Sequence, residues 1–146
     1  MKRISLILFS VFLFSILTGC TTADFNQPTN SAALEKALSD QGIQVCSQAD
    51  IPQAESLGVV GGKFYSLGKD CSQLNPNKPG ALLWAVQFSS LEARNAAFRR
   101  TTSEWKRGLG HSFVWTAGPY LIVIDGPRLT KVEAGIKQAL TQLGAR

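Results

Sequence analysis

Hydrophobic positions fall into three regimes along the chain. Residues 4–17 form a continuous apolar run, eleven apolar residues and three serines without a charge, preceded by Lys2 and Arg3. Such a run is shorter than the ~20 residues that cross a hydrocarbon core and matches the apolar stretch of a secretory signal. Residues 20–30 are polar, hold one proline and show neither a helical nor a strand period, so they read as a tether. From Ser31 the spacing becomes periodic. Leu34, Ala37 and Leu38 share a helical face, Asn30 or Ser31 can cap the start and Gly42 the end, which predicts a helix over about 31–41.

Shorter signals follow. Ile43 to Cys46 suits a brief strand, Pro52 to Ser56 one helical turn, and Val59 to Ser66 a strand interrupted early by Gly61 and Gly62. The stretch from Asn75 to Gly80 has loop composition. Ala81 to Phe88 alternates, with bulky Leu82, Trp84, Val86 and Phe88 on the side expected to face the core. Ser89-Ser90-Leu91-Glu92 offers a capping box for a helix whose apolar members Leu91, Phe98 and Trp105 lie seven apart.

Two strands, Ser112 to Thr116 and Tyr120 to Ile124, are expected around a hairpin turn at Ala117-Gly118-Pro119. Leu121 to Ile124 is apolar on both faces, as in a central strand. Thr130-Lys131-Val132-Glu133 repeats the capping pattern before a last helix that turns Leu129, Val132, Ile136, Leu140 and Leu143 inward. The order predicts an α+β two-layer sandwich, a mainly antiparallel sheet with helices on one face. Its β-α-β-β-α core resembles part of a ferredoxin-like arrangement.

Composition narrows the class. Of 146 residues 45% are hydrophobic and 17% charged, which suits one globular domain over residues 31–146 rather than a disordered chain. The formal charge is +5, and it falls to +3 once Lys2 and Arg3 are removed with a signal peptide of residues 1–19. That excess is too modest, in an exported chain, to argue for a nucleic-acid partner.

The run at the start ends in Leu17-Thr18-Gly19-Cys20, which resembles the lipobox of bacterial lipoprotein precursors. The resemblance implies diacylglyceryl transfer to the Cys20 sulfur and cleavage after Gly19, often with acylation of the new amino terminus, so that the lipid attaches the mature chain to a membrane. Thr21, where an Asp would retain the protein, resembles the pattern of lipoproteins passed to the outer membrane of a two-membrane cell. The remaining sequence is similar, loosely, to small uncharacterised envelope lipoproteins.

With Cys20 taken by lipid, Cys46 and Cys71 are an even pair in an exported chain, the arithmetic of one disulfide. There is no Cys-x-x-Cys, and His111 is the one histidine, so no cofactor or metal site is expected. Gly58-Val59-Val60-Gly61-Gly62-Lys63 falls one residue short of a phosphate-binding loop and puts Phe64 where a Ser or Thr is required. It reads as a strand bulge instead.

Arg94, Arg99, Arg100, Lys106 and Arg107 predict a basic edge. Arg99, Arg100, Lys106 and Arg107 form its stripe, a candidate surface for anionic headgroups or acidic wall polymer. Trp84, Trp115 and Tyr120 could make an aromatic platform, but they alternate with polar or small residues and core positions suit them better. The reading that results is a lipid-anchored envelope protein with a binding or interaction role. Its alternatives are a small envelope hydrolase, using carboxylates or His111, and a purely structural envelope lipoprotein.

Overall fold

The computed structural model describes residues 30–74, 80–105, 113–126 and 129–146. Asn30 closes the first orphan amide of α1 (Ser31–Asp40), its Oδ1 accepting from the Ala33 amide at 2.8 Å. Gly42, at φ +68°, lets the chain turn out of the helix and into β1 (Gln44–Asp50). β1 runs four residues beyond the brief strand expected from the sequence. Its residues are mostly exposed, so it carries no apolar alternation.

β2 (Val59–Gly68), β3 (Ala81–Phe88), β4 (Phe113–Ala117) and β5 (Tyr120–Asp125) complete a five-stranded sheet of order β1-β2-β3-β5-β4. Every neighbouring pair is antiparallel. The α+β architecture and antiparallel sheet are those expected. β5 lies between β3 and β4, the split β-α-β order, and its burial on both faces explains the unbroken apolar run at Leu121 to Ile124. The predicted hairpin is present, with a two-residue turn at Gly118 and Pro119, and Gly118 sits at φ +52°. At the outer edge of β4, Thr116 exchanges two backbone hydrogen bonds with Arg146, at 2.8 and 3.0 Å.

The principal core lies between one sheet face and two helices. Tyr65, Leu67, Leu83, Ile122 and Ile124 meet Leu34 and Leu38 of α1 and Ile136 and Leu140 of α3 (Glu133–Gln142). Leu129 and Val132 are buried there as the spacing predicts, and Leu143 is half-buried. A 3-10 turn at Leu129–Lys131 precedes α3, whose cap position is Val132 and carries no side-chain hydrogen bond. The expected cap residue, Thr130, lies within that 3-10 turn.

β3 corrects the assignment of faces. Its small side, Ala81, Leu83 and Ala85, is the fully covered one, while Leu82, Trp84 and Val86 are half-buried on the other. Small side chains let α1 and α3 approach closely, whereas alternation reveals two faces without saying which one is covered.

The third helix, α2 (Leu91–Trp105), lies on that other face. Its Ala93, Ala97 and Phe98 pack beside Phe88, Val59 and Leu121. Of the expected stripe, Phe98 thus faces inward beside two alanines, and the side chain of Trp105 lies outside what is described. The cap is Ser90, whose Oγ accepts from the Ala93 amide at 3.1 Å, one residue later than the expected box. Ser89 instead donates its hydroxyl to the Gly58 carbonyl at 3.3 Å.

The Cys46–Cys71 disulfide is formed, with Cα atoms 5.2 Å apart. It joins β1 to the 3-10 turn Cys71–Gln73 that follows β2. Cys46 occupies the register irregularity between Val45 and Ser47, where its side chain can leave the ladder.

Candidate functional site

The half-covered face of the sheet carries a groove of about 730 Å³, within the range of ligand sites, about 300–1,000 Å³. Its floor runs from Phe88 through Val86 to Trp84, ~13 Å of strand, with Leu121 and Val123 alongside. Ala93, Ala96 and Ala97 of α2 form one wall, and the 3-10 turn Glu55–Leu57 supplies Ser56 and Leu57 opposite. The groove exists because three alanines stand where larger side chains would reach the sheet. Leu57 is 59% exposed, the most solvent-open large apolar side chain among the described residues.

One end is closed. Gly58, at φ +70°, lies so near α2 that a Cβ there would stand 2.7 Å from the Cβ of Ala93. The Ser89 amide donates to the Gly58 carbonyl at 2.9 Å, which ties this turn to the start of the helix. The other end carries Arg100 and Thr101, and Glu92 and Ser90 lie on the rim beside the closed end. Exposed polar groups are therefore confined to the margins of an apolar trough.

A second, smaller cavity of about 150 Å³ lies at the start of α1, under Asn30 and Leu34 and over Lys63, Gln87 and Tyr120. The Tyr65 hydroxyl donates to Glu35 Oε1 at 3.2 Å, and Lys63 Nζ stands 4.0 Å from the same oxygen and 3.3 Å from Gln48 Oε1. Burial, and then the charge of Glu35, hold the Tyr65 phenol well above its ordinary pKa. Burial raises Tyr120 as well. A phenol held neutral is a donor, not a base or nucleophile, so the cluster is arranged to satisfy buried polar groups.

This cluster predicts an alkaline weakness. Above pH ~10 the unfolded chain loses a phenolic proton that the folded chain keeps, so stability present below that pH falls as pH rises. The thermal midpoint of Tyr65→Phe, followed from about pH 9 to 11, should decline less steeply than that of the parent chain.

The structure separates the candidate residues. Arg94 leaves the basic edge: it is 3% exposed and its guanidinium donates to the Gly118 carbonyl and to Asn95 Oδ1, anchoring α2 to the β4–β5 turn. Arg99 and Arg100 are exposed on α2, whereas Cys20, Lys106, Arg107 and His111 lie outside the described residues. Trp84 stands on the groove face, packed on Phe64 with ring centroids 5.2 Å apart. Trp115 and Tyr120 pack on the principal core, so the three aromatics share no platform.

Among the described residues no group of three or more His, Cys, Asp and Glu could hold a metal ion. Among them, too, no helix is long and apolar enough to cross a membrane. Sequence reasoning missed the groove. Its signal was the alanines at 93, 96 and 97 facing a strand of large apolar residues. No protein-family model, curated protein or solved structure matches the chain.

Proposed function

We propose that this chain is a lipid-anchored protein of the bacterial cell envelope whose folded part binds an apolar ligand in the groove between α2 and the sheet. The observation that carries the binding role is the groove itself: about 730 Å³ of space floored by Trp84, Val86 and Phe88 and walled by alanines. Covering such an apolar surface is favourable, and a bound apolar ligand would cover it.

Placement in the envelope rests on the lipobox-like Leu17-Thr18-Gly19-Cys20 after the apolar run. The Cys46–Cys71 disulfide supports an oxidising, extracytoplasmic compartment. In this reading residues 1–19 are removed, Cys20 carries the acyl chains and residues 20–30 tether the domain. In a two-membrane cell the anchor sits in the outer membrane. Two or three acyl chains, at ~0.8 kcal/mol per buried methylene, hold a protein on a bilayer lastingly. Arg99 and Arg100, with Lys106 and Arg107 of the same stripe, would each add about 1 kcal/mol or less beside anionic headgroups or wall polymer.

The test of the anchor is metabolic labelling with an alkyne palmitate analogue. The parent chain should take up label and sediment with membranes, and Cys20→Ser should do neither. Equal labelling of both chains would overturn the placement.

A further inference from the structure

We infer that the groove holds a single-chain anionic lipid, one hydrocarbon chain ending in a carboxylate, with its tail at the Gly58–Ala93 end and its head at Arg100. This rests on reading the groove as the binding surface and is independent of the Cys20 anchor. Three observations select that occupant.

The first is hydrogen-bonding capacity. The floor is the face of a sheet whose strands β3 and β5 are each paired on both sides, and the wall is the flank of a helix. Their backbone amides and carbonyls are consumed by one another. An extended peptide laid in the trough would have its own backbone groups desolvated without partners, whereas a hydrocarbon chain has none to satisfy.

The second is shape. From Ala93 to Arg100 the wall extends ~10 Å along α2, and the floor from Phe88 to Trp84 is of similar length. Gly58 closes one end against Ala93, so an occupant extends toward the end that bears Arg100 and Thr101. The trough is open to solvent along its length, tied off at one end by the approach of Gly58 to Ala93, and its two charged lining residues, Glu92 and Arg100, stand toward opposite ends.

The third is charge. Glu92 lies on the rim near the closed end and disfavours an anionic head there. At the open end Arg100 is exposed and has no ion pair among the described residues, and its fork-shaped guanidinium suits a carboxylate. The two margins thus orient one ligand polarity and oppose the other.

The full chain, purified from membranes and held in phosphatidylcholine nanodiscs, is irradiated with a decanoate probe carrying a diazirine in its tail, and the cross-linked peptides are mapped. Cross-links should fall on Trp84–Phe88 and Ala93–Ala97. A roughly tenfold excess of unlabelled decanoate should reduce them about tenfold, by mass action at one shared site. Ala96→Trp, at an exposed position on the wall, should also reduce them; competition by decanoate on the parent chain serves if that variant does not fold. Arg100→Gln should weaken the carboxylate probe and leave the matching fatty-alcohol probe unchanged.

Cross-links scattered over the surface and indifferent to competitor would overturn both the ligand class and the groove as a binding surface. Groove cross-links to a protein helix, or occupation by the chain's own Cys20 acyl groups, would overturn the ligand class alone and leave the binding surface standing. Equal loss of both probes in Arg100→Gln would overturn the role of the carboxylate.

Discussion

The Cys46→Ser, Cys71→Ser double variant unfolds roughly 10–20 °C below the parent chain, a loss of ~3.5 kcal/mol. The figure follows from the loop that the bridge closes, 25 residues apart in sequence, which lowers the entropy of the unfolded chain. The folded state has its own reason to depend on it. β1 is an edge strand with mostly exposed residues, and its register already breaks at Cys46. Its attachment rests on hydrogen bonds to β2 and on the bridge, with little apolar burial to replace either. Reduction should therefore loosen β1 and the Cys71–Gln73 turn before the principal core. Amide exchange in dithiothreitol checks this: protection lost first at Gln44–Asp50, with Leu83 and Ile122 still protected, is the expected result. Uniform loss of protection would show that the bridge acts on the whole domain through the unfolded state alone.

The ease of reading each element from the sequence tracks how far its local pattern is set by burial on a defined face. β3 was legible at both ends because Ala81 to Phe88 alternates without a break, and β5 because Leu121 to Ile124 is buried on both sides. β1 extends past the expected strand because an edge strand with exposed residues has no alternation to show. The cap of α2 falls one residue later than the local pattern suggests. Ser89 and Ser90 satisfy the same local rule, and only the tertiary contact of Ser89 with Gly58 decides between them.

The candidate site was less visible for a similar reason. A basic cluster counts charges without knowing that Arg94 points inward to the Gly118 carbonyl. A groove is made by what is missing, and alanines at 93, 96 and 97 become a cavity only when Trp84, Val86 and Val123 stand across from them. The disulfide, by contrast, depended on cysteine parity and compartment and needed no geometry.

Gly62→Ala should be a severely damaging single-methyl change, costing at least ~4 kcal/mol and sharply lowering the yield of folded, disulfide-bonded chain. Gly61 and Gly62 both lie at φ near +150°, at +146° and +149°, where the register of β2 against β3 shifts. They differ in what surrounds them. A Cβ at Gly62 would stand 2.3 Å from the Ala85 carbonyl oxygen and 3.0 Å from the Val86 Cα, both backbone atoms of the central strand β3. No side-chain rotation relieves that overlap, so β3 itself would have to move and would disturb both the principal core at Ala85 and the groove floor at Val86. At Gly61 the nearest atom is the Ile51 carbonyl oxygen at 3.9 Å, so Gly61→Ala bears the backbone strain alone, about 1–3 kcal/mol. Urea midpoints of the two variants separate the contributions. A gap of more than ~1 kcal/mol in favour of Gly61→Ala is expected from the close approach of β2 and β3, and equal midpoints would show that φ, not packing, is what demands glycine at this bulge.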